Sequence, residues 1–157
     1  MPSVESFELD HTKVVAPYVR NCGVKSIGSD GIITKYDIRF CQPNKESMHP
    51  ATIHTLEHLF ALNIREALPE AANFEVIDFS PMGCQTGFYL ILTGEPDISA
   101  VIQILRQAAE FSLQADVVPA ATEIQCGQAK LQDLDDAKKW LTYWKEQSDE
   151  TLKNVFS

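Results

Sequence analysis

Two periods alternate along the chain. Val24 to Ile27 and Ile32 to Phe40, around Gly28-Ser29-Asp30-Gly31, predict a β-hairpin with a glycine-rich turn. In its second strand the alternation assigns Ile32, Tyr36, Ile38 and Phe40 to a core face and Lys35, Asp37 and Arg39 to a solvated one. From Pro50 the period lengthens: Ile53, Leu56, Phe60 and Ile64 recur at helical spacing, Pro50 suits a first turn, and Pro69 ends the segment after Leu68. Phe74 to Phe79 and Phe88 to Leu92 read as two further strands across the turn residues Ser80-Pro81-Met82-Gly83. Asp97 can cap a long helix with the stripe Val101, Ile102, Leu105, Ala108, Ala109 and Leu113. Asp133 can cap another, with Leu134, Ala137, Trp140, Leu141 and Trp144 facing inward, and the tail from Ser148 to Phe156 predicts one more short helix. Residues 1–23 follow neither period, and Pro17 there favours an extended or edge segment. A chain of 157 residues is long enough to bury a full core and short for two domains, so a single domain is expected over residues 1–157.

Within the helix from Pro50, His54 and His58 stand four residues apart, which puts two imidazoles on one face about a turn apart. Glu57 lies beside them. Two neutral imidazoles with one or two further protein groups can hold a cation that keeps an open position, and the carboxylate then has a proton to move. The pattern His-x-x-Glu-His also matches the inverted zincin arrangement, so a metallopeptidase is the alternative enzyme class. A structural metal module or thiol sensor is the non-catalytic alternative. A third ligand is needed, and spacing leaves Cys84, Cys126, Cys41, His11, His49 and Glu123 open. Cys84 and Cys126 stand out because Gly83 and Gly127 adjoin them, and glycine lets backbone approach a site closely.

Charge and cysteine usage narrow the partners. With 13 basic against 22 acidic residues the net charge is -9, and no basic stripe is present, which argues against nucleic acid. The start, Met1-Pro2-Ser3-Val4-Glu5, has no charged-then-apolar leader, and no apolar run approaches the roughly 18 residues that span a bilayer. A soluble, cytoplasmic protein is expected. Cys22, Cys41, Cys84 and Cys126 form no Cys-x-x-Cys pair, so no disulfide framework is expected and Cys22 and Cys41 read as small buried groups.

Five stretches together resemble a known family. They are Pro2-Ser3-Val4-Glu5-Ser6-Phe7 with Asp10-His11; Asp37-Ile38-Arg39-Phe40-Cys41-Gln42-Pro43-Asn44; His54 to Leu59; Ser80-Pro81-Met82-Gly83-Cys84-Gln85-Thr86-Gly87; and Cys126-Gly127-Gln128-Ala129-Lys130-Leu131. In register over essentially the whole chain, they resemble S-ribosylhomocysteine lyase, the LuxS family.

That resemblance implies an α+β fold, an antiparallel β-sheet covered by helices on one face, in a homodimer with active sites at the interface. It implies that His54, His58 and Cys126 bind one divalent metal per chain, with Fe2+ expected and Zn2+ or Co2+ as substitutes, and that Cys84 and Glu57 are the acid/base pair. Ser6, His11 and Arg39 are then substrate-binding groups contributed by the partner subunit, which would give Arg39 a role beyond a solvated face. The implied reaction cleaves the thioether of S-ribosylhomocysteine to homocysteine and 4,5-dihydroxy-2,3-pentanedione, the autoinducer-2 precursor of quorum sensing, by two carbonyl migrations and a β-elimination. The same step recycles homocysteine in the activated methyl cycle.

Overall fold

The computed structural model describes residues 1–156. Four strands, β1 (Tyr18–Ile27), β2 (Gly31–Arg39), β3 (Val76–Pro81) and β4 (Gly87–Thr93), form one antiparallel sheet in the order β1-β2-β4-β3. Five helices accompany it: α1 (Glu5–Glu8), α2 (Pro50–Glu66), α3 (Ile98–Leu113), α4 (Leu134–Lys145) and α5 (Asp149–Lys153). Among the described residues no helix is long and apolar enough to cross a membrane.

The period-2 pattern builds the inner face of the sheet. Tyr36 and Ile38 of β2, Phe40 just past its end, and Phe88, Leu90 and Leu92 of β4 pack in one core with Leu56, Phe60 and Ile64 of α2 and Val101, Leu105 and Ala108 of α3. Trp144 of α4 stacks on Phe40 with ring centroids 5.8 Å apart, which fixes α4 over the same end of the sheet. Both caps read from the sequence are in place: Asp97 accepts from the Ala100 amide and Asp133 from the Asp136 amide. Ser148 caps the tail helix in the same way, accepting from the Thr151 amide.

Three expectations are corrected. The first strand starts at Tyr18, directly after Pro17, and runs ten residues as the sheet edge; a bulge between Asn21 and Gly23 shifts its register, which hid its alternation. The N-terminal arm contains a single helical turn, Glu5–Glu8, too short to show a period. Asp37 and Arg39 do lie on the face opposite the core, but they are not solvated: Asp37 is 0% and Arg39 2% exposed. Alternation reports which face a residue takes, not what covers that face. Tyr18 and Arg20 of β1, and Thr86 beyond the next strand's turn, cover these two. At the hairpin tip the reverse occurs, where Ile32, expected on the core face, is exposed.

Candidate metal centre and thiol pocket

Helix α2 turns His54 and His58 toward one point, with ring centroids 4.6 Å apart and ring planes nearly perpendicular. The loop after α3 brings Cys126 to the same point, its Sγ 3.3 Å from His54 Nε2. One ligand atom from each of His54, His58 and Cys126 falls within 4.8 Å of the others. Cys126 is thus the member of the six open candidates that joins the two histidines.

The chemistry of this donor set fits a cation. His54 Nδ1 lies 2.7 Å from the Leu131 carbonyl and His58 Nδ1 2.7 Å from the Pro119 carbonyl. A carbonyl only accepts, so each Nδ1 carries the proton and each Nε2 keeps its lone pair free for a metal. Two imidazole nitrogens and a thiolate suit a tetrahedral ion of intermediate softness, with ligand bonds of about 2.0 to 2.3 Å and an open fourth position.

Buried threonines on α2 hold the segment that supplies the Leu131 carbonyl. Thr55 Oγ1 donates to Gln132 Oε1 at 2.6 Å and accepts from the Asp133 amide at 2.9 Å, while Thr52 Oγ1 donates to Asp136 at 2.6 Å. Leu131 is thereby fixed over His54. A lone hydroxyl on an apolar helix face is a small signal, and sequence reasoning passed over both threonines. Glu57, half-buried, leaves the helix one position before His58.

A second constellation forms at the end of the sheet. Thr86 binds the β2 end through its carbonyl, which accepts from both Phe40 and Cys41 amides at 2.9 Å, and the Gln85 carbonyl accepts from Met48 at 3.0 Å. This knits the β3–β4 turn to the loop before α2 and lifts Cys84 into solvent. Cys84 Sγ lies 3.0 Å from Thr86 Oγ1 and 3.9 Å from Arg39 Nη1. A cavity of about 610 Å³ opens over them, lined by His11, Arg39, Asn44, Lys45, Cys84 and Thr86 among others.

Arg39 enters this pocket from below. Burial opposes its charge, but the Asp37 carboxylate outweighs that and holds the guanidinium more firmly protonated than usual. Burial likewise pushes the thiols of Cys22 and Cys41 up to about 11 and about 12, which leaves them as neutral packing groups. His49, at the start of α2, and Glu123 are exposed and stand outside both constellations.

Of the expected site residues, the structure gathers His54, His58 and Cys126 in one group and His11, Arg39 and Cys84 in another. The residues lining the thiol cavity include none of the three donors. Ser6 sits apart from both, on α1, beside a smaller cavity on the outer face of the sheet. The glycine argument is also corrected: a Cβ on Gly83 or Gly127 would meet nothing within 4 Å, so neither is required by close approach within the chain.

A model of the S-ribosylhomocysteinase (LuxS) family matches residues 4–155. This span contains all of the residues in both constellations, and the chain belongs to the S-ribosylhomocysteinase (LuxS) family of carbon–sulfur lyases.

Proposed function

We propose that the chain is a metal-dependent lyase that cleaves S-ribosylhomocysteine to homocysteine and 4,5-dihydroxy-2,3-pentanedione. The observation that carries this reading is the convergence of His54, His58 and Cys126 within 4.8 Å in a member of this family. We take residues 1–157 as one catalytic domain acting in the cytoplasm. The product is a precursor of a quorum-sensing signal, and the released homocysteine returns to the methyl cycle.

The substrate's sulfur cannot leave until a carbonyl stands β to it. Ring opening gives the aldose, and two enolisations carry the carbonyl from C1 to C2 and then to C3. Loss of the C4 proton then expels homocysteine from C5. When bound by His54, His58 and Cys126, a divalent cation would supply Lewis acidity to the sugar oxygens; the donor set does not choose the ion, and our proposal is ferrous iron, with zinc or cobalt as substitutes. Cys84 takes and returns the carbon-bound protons of the early transfers. Glu57 serves the later transfers and the elimination. Arg39, His11 and Ser6 bind the sugar hydroxyls and orient the chain of carbons.

The two constellations have to meet for this chemistry, and a homodimer supplies the meeting. The reading that fits their separation is one in which the cavity with His11, Arg39 and Cys84 of one subunit faces the donor set and Glu57 of its partner.

Incubating purified protein with S-ribosylhomocysteine and following free thiol, with Cys84→Ala in parallel, tests the reading. Thiol release by the parent chain and not by the variant is expected. No release from either, with one metal bound per chain, would reopen the metallopeptidase alternative. Active enzyme purified anaerobically without iron would overturn the choice of ion.

A further inference from the structure

Behind Arg39 lies a group that the reaction scheme does not use. Asp37, wholly buried, spends both carboxylate oxygens on one edge of the Arg39 guanidinium: Nε donates to Oδ1 at 3.1 Å and Nη2 to Oδ2 at 2.8 Å. Oδ2 also accepts from the Tyr18 hydroxyl at 3.1 Å and from Arg20 Nη2 at 3.2 Å. Arg20 in turn pairs with Glu5, the first residue of α1. The Arg39 guanidinium carbon stands 5.6 Å from the centre of the Tyr18 ring. With one edge held side-on, only Nη1 is left for the cavity, where it meets Thr86 Oγ1 at 2.8 Å and Cys84 Sγ at 3.9 Å.

Stability alone is a weak reason for this arrangement, because a buried ion pair roughly cancels its own desolvation cost and an apolar pair of similar volume does as well. What the fork geometry gives is direction. A bidentate carboxylate fixes the plane of a guanidinium as well as its position.

We propose that Asp37 is a positioning residue of the thiol pocket, holding the Arg39 guanidinium side-on so that its Nη1 edge is presented to a substrate oxygen beside Cys84. This rests on the reading of Arg39 as a substrate-binding group. Asp37 touches no substrate itself. Its effect therefore passes entirely through Arg39, and removing either partner removes the same interaction.

A double-mutant cycle on metal-loaded enzyme tests this. Arg39→Lys keeps the charge and loses the fork; Asp37→Asn keeps the shape and loses the second acceptor. Each is expected to lower kcat/KM by on the order of 100-fold, to divide that loss between kcat and KM in the same way, and in combination to do no worse than the poorer single variant. Losses that multiply, or an Asp37→Asn enzyme as active as the parent while Arg39→Lys is impaired, would overturn the role of Asp37 alone. Full activity in both Arg39→Lys and Arg39→Ala would instead remove the substrate reading of Arg39, and the proposal with it. Should Asp37→Asn fail to fold, Tyr18→Phe removes one donor to the same carboxylate. Its smaller loss is then expected to disappear in the Arg39→Lys background, and a loss that persists there overturns the proposal.

Discussion

His54 Nε2 and Cys126 Sγ stand 3.3 Å apart although 72 residues of chain separate them. The contact is made by two groups that have no structural need of each other. Cys126 lies in a polar loop outside the core, and His54 is already satisfied at Nδ1 by the Leu131 carbonyl.

Replacing Cys126 should for that reason remove metal without removing the fold. Cys126→Ser is expected to bring bound metal from one per chain to well under that, with the apo melting temperature within a degree or two of the parent's. The parent should gain stability from the ion, about 2.7 kcal/mol when free metal is 100-fold above its Kd, and the variant should gain almost none. Elemental analysis and melting curves with and without added metal check this. A variant that retains its metal would point to a carboxylate third ligand, as a peptidase uses.

Separation of the thiol cavity from the donor set gives a test of subunit exchange. Cys84→Ala and Cys126→Ser chains are each expected to be inactive. If the chain pairs as proposed, mixing, unfolding and refolding would make half of the dimers mixed, each with one complete site, so about a quarter of parental activity should return. Mixed dimers that form and stay inactive would mean that thiol and donors act within one chain.

How much of this was legible beforehand differs by residue. His54, Glu57 and His58 were visible because a helix converts a spacing of three or four into a shared face. Cys126 was not singled out by spacing, since a loop carries no period; its neighbouring glycine marked it together with Cys84, and the five-stretch resemblance alone chose it as the ligand. Asp37 and Arg39 were assigned to the correct face and the wrong environment, because what covers them arrives from Tyr18, Arg20 and Thr86. The bulge at Asn21/Gly23 hid the first half of β1 for a local reason: one extra residue inverts the alternation that identifies a strand.

Burial of Cys41 makes stability depend on alkaline pH. Burial raises its pKa from the ordinary 9.0 to about 12, so the unfolded chain loses this proton first. The contribution is fully present below pH 9 and is lost as pH rises toward 12, at about 1.4 kcal/mol per unit. Urea unfolding at pH 8.5 and 10.5 should show the decline, and Cys41→Ala should flatten it relative to its own lower starting stability. An equal slope in the variant would assign the effect to other groups, of which Cys22 and Tyr36, raised by burial to about 11 and about 12, are the first to examine.

Two glycines flank the Cys84 turn and should respond differently to alanine. A Cβ on Gly87 would lie 2.4 Å from the Ile38 carbonyl oxygen and 3.0 Å from the Arg39 Cα, both backbone atoms of the neighbouring strand. Since Gly87 pairs with Arg39 in the β2–β4 register, the strands must part at the residue that supports the thiol pocket. Gly87→Ala is expected to cost about 1–3 kcal/mol or more and to depress activity further than the loss of folded protein explains. Gly83→Ala, with open space around its Cβ, should leave stability within about 0.5 kcal/mol of the parent. If it folds normally and still loses activity, the space beside Cys84 is occupied in the working enzyme by something outside the chain, and a partner subunit or the substrate is what fills it.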